Sequence, residues 1–326
     1  DAGGLVPAQL SKKKIPLLLG VTKSITNSFN QNDDVDRDEM TKLANIIKNS
    51  SQEYDINELE AITKAKEYYM RCKQDKSFYE IASPDDGVRM KGVHVDGESL
   101  ATGFATTLVD ASVEECAAFE LSSLNSRRLK KTDTKNGIVK RVVKAINNHS
   151  LYYITARNLN VPTFSPREAR VKLTWMKDDS GNLIIDITKT KDIIEHESQY
   201  PRSILIDVRS VWVFEPLRPI GKISQTAVTF TTRIDLCGNI PTPIMNKIAP
   251  RFLSSTLAMK RLNDKSKEID AQKRLQIIEK LKRKEIRSGS LSATIFFGNL
   301  SREPEEKKKL EGAFPTSDIW LKVGEI

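Results

Sequence analysis

The chain has 326 residues, 39% of them hydrophobic and 29% charged, with a formal net charge of +9, a balance that suits one or two globular domains with a sizeable core. No stretch approaches the roughly 18 apolar residues of a membrane span, and the apolar run after Lys12–Lys14 is too short for a signal peptide and lacks a small-residue cleavage site. Cys72, Cys116 and Cys237 are far apart and without CxxC spacing, which argues against a disulfide framework or a thiolate zinc site and for a reducing compartment.

In chain order, DAGGLVPAQLSKKKIPLLLG comes first and is followed by a polar segment. Between Asp33 and Asp75 a helix or helix pair is expected. Asp38 caps a run with Met40, Leu43 and Ile46–Ile47, and Asp55 caps another with Leu59, Ile62, Ala65 and Tyr69. Ser83-Pro84-Asp85-Asp86-Gly87 is a turn, and Val88–Val95 and Leu100–Val109 form a hairpin about Asp96-Gly97. Asp110 or Ser112 then caps a helix to about Leu124, with acids in its first turn.

Strands are predicted at Gly137–Asn147, Ser150–Asn158, Arg167–Lys177, Leu183–Thr190, Ile204–Phe214 and Ser224–Leu236. With the first hairpin this makes eight, nearly all joined by short turns, hence one strongly curved antiparallel sheet. The last pair alternates around Val211, Val213 and Leu217, then Val228, Phe230 and Ile234, which gives one dry face. Asp235-x-x-Gly238-x-x-Pro241 turns the chain into a long helix, with Gly238 free of a Cβ and Pro241 at a first helical position.

The excess of positive charge lies in Lys12–Lys14, Lys260–Lys284 and Lys307–Lys309. It sits on Lys/Glu-alternating helices without interleaved aromatics, so no nucleic-acid partner is expected. Two readings stay open for it, solvated faces and transient contact with an anionic membrane. Three glycosylation-type triplets, beginning at Asn49, Asn148 and Asn299, are idle in a cytoplasmic protein.

The chain also matches itself. Asp1, Gly4, Pro7, Lys13, Pro16 and Leu19 coincide with Asp235, Gly238, Pro241, Lys247, Pro250 and Leu253 at an offset of 234. Asp38, Leu43, Ile46 and Lys48 coincide with Asp270, Leu275, Ile278 and Lys280 at 232, and Glu80, Ala82, Pro84 and Lys91 with Glu311, Ala313, Pro315 and Lys322 at 231. Offsets that drift this little are what loop indels between duplicated domains leave.

Arg209, the strand with Glu215-Pro216, a second strand, Asp235-x-x-Gly238-x-x-Pro241 and a final helix together resemble the C-terminal half of the START (steroidogenic acute regulatory-related lipid transfer) domain. Ser165-Pro166-Arg167-Glu168, with Trp175 eight residues after the arginine, resembles another START pattern upstream. The resemblance covers roughly 190 residues and implies an α+β helix-grip fold (START/Bet v 1-like), a curved antiparallel sheet closed by a long C-terminal helix. With the repeat, residues 1–30 are read as the C-terminal helix of a preceding START-like repeat and 31–75 as a helical linker and N-terminal helix. Residues 76–262 are read as a complete START-like domain, 263–290 as a charged helical linker and 291–326 as the beginning of a following repeat.

The positions expected to face the space between sheet and helix are Tyr153, Leu173, Trp175, Ile185, Val211, Val213 and Phe230, with Ile244, Ile248, Phe252 and Met259 from the helix. They either pack as core or line a pocket, and the resemblance implies a pocket for one hydrophobic ligand, a sterol, phospholipid or other lipid. Pro250 removes a helical hydrogen bond and is read as a lid hinge. Many sterol-binding START domains carry an Arg where this chain has Leu173, so the resemblance loses their buried ion pair. Arg209 is a polar candidate, either a strand-end salt bridge or a headgroup contact.

His94, His149 and His196 are isolated, and no HExxH, GxSxG or Gly-rich phosphate loop occurs. The expected function is a non-enzymatic lipid-binding or lipid-transfer module, cytoplasmic and membrane-peripheral, with no cofactor or metal and with neighbouring START-like repeats as partners. The alternative is a ligand-free regulatory or scaffold domain in a multidomain protein.

Overall fold

A computed structural model describes residues 37–94, 100–125, 133, 137–159, 164–192, 194, 196–238, 240 and 252–287. The segments read as flanking repeats (1–30 and 291–326), the turn at 96–97, Pro241, and the helix positions Ile244, Ile248 and Pro250 lie outside them. Contacts divide the chain into Asp1–Asp38 and Glu39–Ile326, and the architecture that follows is that of the second unit.

Its centre is one sheet. The strands are β1 (Tyr79–Ile81), β2 (Val88–His94), β3 (Leu100–Val109), β4 (Ile138–Ala145), β5 (Ser150–Arg157), β6 (Arg167–Lys177), β7 (Leu183–Lys189), β8 (Ile204–Leu205), β9 (Asp207–Ile220) and β10 (Ile223–Asp235). They run β1-β2-β3-β10-β9-β7-β6-β5-β4, with short β8 parallel to β6 and every other pairing antiparallel. The sheet is not closed into a barrel, and β1 and β4 are its edges. Two strands exceed the expected eight: β1 precedes the Ser83–Gly87 turn, and the segment expected to begin at Ile204 divides into β8 and a β9 that continues to Ile220. Beyond Phe214, β9 pairs with β10 alone, which leaves room for Pro216 and Pro219.

Local chemistry makes the turns tight. The Asn147 side-chain oxygen accepts from the backbone N–H of His149 (2.9 Å) and Ser150 (2.7 Å) between β4 and β5. Asp178 accepts from Ser180 and Asn182 between β6 and β7, where Gly181 takes a left-handed φ of 79°.

The helices are α1 (Arg37–Asn49), α2 (Ile56–Gln74), α3 (Val113–Asn125), α4 (Ser254–Leu262) and α5 (Ser266–Arg287). Asp55 caps α2 in a capping box with Glu58. Ser112, rather than Asp110, caps α3: its hydroxyl accepts from the Glu115 N–H, and the Glu115 carboxylate accepts from the Ser112 N–H. Asp110 instead accepts from the Gln225 side chain and the Lys265 backbone (3.0 Å each) and so holds the approach to α5. Asp38 falls inside α1 rather than before it.

Cross-strand register assigns the faces. Val88, Met90, Ala105, Leu173, Trp175, Leu183, Ile185, Trp212, Phe214, Val228 and Phe230 share the inner face, with α3 and α4 against it. Phe104, Ile184, Val211 and Val213 share the outer face, where Ile62, Ala65, Tyr68 and Tyr69 of α2 cover them. Val211 and Val213, expected inside, therefore lie on the opposite side from Phe230. All of Ser210–Phe214 is buried, because helices cover both faces. A strand buried on both sides has apolar residues at every position, and alternation no longer tells inside from outside.

The two START-resembling motifs meet through one side chain. Arg167, 5% exposed, donates from Nε to the Leu236 carbonyl (2.8 Å), from Nη1 to that of Ser165 (2.6 Å) and from Nη2 to that of Cys237 (3.2 Å). It thus fixes the end of β10, where Gly238 has a φ of 79° and Cys237 one of 53°. Arg167→Ala strands the buried Leu236 carbonyl, at about 1–3 kcal/mol, and the part-buried Ser165 and Cys237 carbonyls at less. Urea unfolding of that variant should show a loss of about 3 kcal/mol, with Arg167→Lys recovering only part, since ammonium lacks the guanidinium fork.

Candidate functional site

The site is the inner face of the sheet beneath α3 and α4. Along α3, Val113, Cys116, Ala117, Glu120 and Leu124 recur at helical spacing on the side turned to the sheet. All but Glu120 are sealed. The α4 end rests on β3: a Cβ at Gly103 would come within 2.9 Å of the Leu253 side chain, and one at Gly92, its cross-strand partner, within 2.7 Å of Ile81. Glycine at these two positions lets the helix and β1 settle against bare backbone.

Of the expected site residues, Leu173, Trp175, Ile185, Phe230 and Met259 are brought together and buried, and Tyr153 joins them half-buried. Phe252 lies elsewhere, in a cluster with Leu236, Ile240 and Phe164 near the Arg167 clamp. With Leu253 it lines a shallow groove over Gly92 and Gly103. Arg209 is on the outer face. Its guanidinium stands 4.8 Å from the centre of the Tyr68 ring and donates to the Lys64 carbonyl at 2.7 Å. The same guanidinium opposes the burial that raises the neighbouring Asp186 carboxyl to a pKa of about 6. Arg209 ties α2 to the sheet and does not reach the inner face.

The inner face is sealed in one part and open in another. Leu173, Leu183, Ile185, Trp212, Phe214 and Met259 are at most 1% exposed. Phe119 and Leu121 on α3, and Val143, Leu151, Tyr153 and Ile187 on the β4–β7 half of the sheet, stay half-buried against that core. Trp212 stacks on Phe230, with ring centres 4.2 Å apart, and on Phe214 at 5.7 Å.

Two groups that the sequence reading passed over stand out. Burial pushes the Glu120 carboxyl up to about 7, and the nearby Trp212 indole offsets only part of this. That buried indole N–H faces the Glu120 carboxyl, and among the described residues the contact falls short of full hydrogen-bond geometry. Among the described residues Glu120 forms no ion pair. Arg141 on β4 is held bidentate by Asp133 (2.6 and 2.9 Å) and donates to the α3 carbonyls of Ser123 and Leu124. A signal for Glu120 existed: it lies four residues after Cys116 and four before Leu124, a charge in an apolar stripe. Trp212 was hidden by the misread phase of β9.

His149 has a structural place. It packs between the rings of Tyr54 (4.5 Å) and Trp175 (4.8 Å), with Nε2 2.8 Å from the Ser51 carbonyl and Nδ1 3.8 Å from Glu58. Glu58 also accepts from Asn147 and Ser150 at 2.9 Å each, so this joint pins the start of α2 to the β4–β5 turn. Among the described residues no three His, Cys, Asp or Glu side chains gather as a metal set.

No family model matches the chain, and no curated protein does. Among solved structures it is similar to the human StarD13 (DLC2) lipid transfer and protein localization domain, at 18% identity over 65% of this chain and 100% of that one, with a TM-score of 0.44. It is similar to human StAR-related lipid transfer protein 5 at 13% identity, over 65% of this chain and 100% of that one, with a TM-score of 0.47. Human STARD10 matches at 14% identity over 73% of this chain and 86% of that one, with a TM-score of 0.44.

The Glu120 carboxyl has its folded pKa raised above the unfolded value of about 4.3, so its protonated form stabilises the fold fully below that value. This contribution is lost as pH rises towards about 7. Glu120→Gln, uncharged at every pH, should therefore gain on the parent chain between about pH 4.5 and 7 and hold a constant gap above. The gain expected from thermal melts across that range is roughly 3 kcal/mol, at 1.36 kcal/mol per pK unit.

Proposed function

We propose that residues 76–262 form a non-enzymatic lipid-binding or lipid-transfer module that holds one hydrophobic ligand between the inner face of the sheet and the helices across it. The observation that carries this reading is the half-buried apolar set of Phe119, Leu121, Val143, Leu151, Tyr153 and Ile187, bordering a sealed core on the same face. Apolar side chains left half-wet inside a fold gain about 25 cal/mol for each Å² that a ligand covers. The START-like motifs of the sequence point the same way. A sterol, a phospholipid or another hydrophobic ligand would meet this surface equally well by apolar area alone.

Delivery to or from a membrane has a candidate contact in α5. After Ile269, which is buried, and Gln272, which reaches Lys222, the helix exposes Leu275, Ile277 and Ile278 beside Lys273, Arg274, Lys280, Lys282 and Arg283. An amphipathic helix of that charge suits the surface of an anionic bilayer. In this reading the protein is cytoplasmic and membrane-peripheral, and neighbouring repeats of the same chain are its other partners. The ligand-free scaffold reading draws on the sealed part of the inner face, where Leu173, Ile185 and Met259 are at most 1% exposed.

Native mass spectrometry of the purified chain separates the two. A lipid-binding module should show an added mass of several hundred daltons that dissociates as lipid, and should move a fluorescent lipid between vesicles. Transfer should quicken when the acceptor vesicles carry phosphatidylserine and slow again in high salt. Protein that is uniformly lipid-free and rejects offered lipids would establish the scaffold instead.

A further inference from the structure

Several large aliphatic side chains stay exposed at one end of the sheet. The hairpins β4–β5, β6–β7 and β9–β10 all turn at that end, because alternate strands of an antiparallel order run the same way. Across it the chain passes from α1, whose Ala44 and Ile47 belong to the inner-face core, to α2 on the outer face. The crossing is fastened. His149 Nε2 meets the Ser51 carbonyl at 2.8 Å, the Tyr54 hydroxyl accepts from the Lys177 N–H at 3.0 Å, and Glu58 accepts from Asn147 and Ser150. Around this joint stand Ile46, Ile56, Leu59 and Ile146, at 63%, 80%, 46% and 40% exposure. Ile56 and Leu59 flank Glu58 on the first turn of α2 and Ile146 precedes Asn147, so the bonds of the joint hold them as one rim.

We propose that this rim docks on a lipid bilayer and is the place where a ligand enters the inner face; ligand entry rests on the lipid-binding reading above. The rim runs on into the half-buried apolar set. Leu43, one helical turn before Ile46 on α1, and Leu151, the first residue of β5 to face inward after the turn, both lie half-buried against the inner core. Apolar surface therefore leads from the rim to the ligand face along two elements. The basic helix α5 is fastened at the same end of the sheet. Asp110, just past β3, accepts from the Lys265 N–H, and Gln272 accepts from the Lys222 N–H at the β9–β10 tip, where a Cβ on Gly221 would collide with the Gln272 side chain. Ile278 stands on the opposite side of α5 from the buried Ile269 and so points away from the body. One bilayer can thus meet both the rim and the helix, the first through hydrocarbon and the second also through charge. A protein partner is the poorer match, since the four rim residues include neither the aromatic rings nor the arginine that anchor protein interfaces.

The test is flotation of the full chain with vesicles of phosphatidylcholine alone and of phosphatidylcholine with phosphatidylserine. Ile56→Ser combined with Leu59→Ser, and Ile146→Ser by itself, should each weaken binding to both vesicle types about fivefold, in high salt as in low, because apolar area is what they remove. Lys280→Gln with Lys282→Gln should lower only the part that phosphatidylserine adds. Leu205→Ser, equally exposed at 41% but on β8 at the other end of the sheet, should float like the parent. Circular dichroism checks folding, and Ile146→Ser decides the matter if the double variant does not fold. Transfer of a fluorescent phosphatidylcholine between vesicles should slow in the rim variants by at least the factor seen in flotation. Docking is overturned by rim variants that float like the parent, by an equal loss in Leu205→Ser, by a parent chain that floats with neither vesicle, or by a parent dimer that the double variant makes monomeric. Transfer that keeps the parent rate while flotation falls overturns ligand entry and leaves lipid binding standing. If flotation depends on the rim but native mass spectrometry finds no lipid carried even after incubation with vesicles, the docking surface stands, and the lipid-binding reading falls together with ligand entry.

Discussion

The structure depends on the ladder between β3 and β10. Ten consecutive residue pairs, from Val109–Thr226 to Leu100–Asp235, join strands more than a hundred positions apart in sequence. Without that pairing β1–β3 would be an isolated three-stranded meander, and the remaining strands a sheet with an open edge on β10. With it, the residues before α3 and those before α4 share one surface. Both helices can then lie on the same face. The closure entropy of so long a loop grows only logarithmically with its length, whereas the ladder adds buried threonines and aromatics along its entire run.

Much of this was legible before any coordinates. The Ser83–Gly87 turn follows from residues whose side chains dictate it, the Asp55 cap of α2 from its place before an apolar run, and the cap of α3 was narrowed to Asp110 or Ser112, of which Ser112 serves. Motif spacing placed Arg167 and Gly238, though not the bonds between Arg167 and the Leu236 and Cys237 carbonyls. The phase of β9 was not legible. Its Ser210–Phe214 run is buried on both sides, so Val211 and Val213 carried the same apolar signal as Trp212 and Phe214. Arg209 had two readings, and its odd position, which puts it under α2 beside Tyr68, sides with the structural one.

The two faces handle buried polarity differently. On the outer face Arg209, Tyr68 and Asp186 stand together, and attraction between unlike charges softens the cost of atoms such as the Tyr68 hydroxyl, the Arg209 Nε and one Asp186 oxygen that find no partner. On the inner face the Glu120 carboxyl has no ion pair among the described residues and lies against the Trp212 indole N–H instead. A static core tolerates the first arrangement as a cross-brace between helix and sheet.

The glycine pair beneath α4 has one more consequence. Where Leu253 meets Gly103, the surface under the helix is peptide backbone rather than hydrocarbon. Lifting the helix at that point would wet amide edges, which water solvates readily, instead of a greasy floor. The hydration cost of separation is then lowest at this end of the helix and rises towards Leu257 and Met259, which press on side chains. Parting along the helix is therefore graded like a zipper whose first tooth is the loosest.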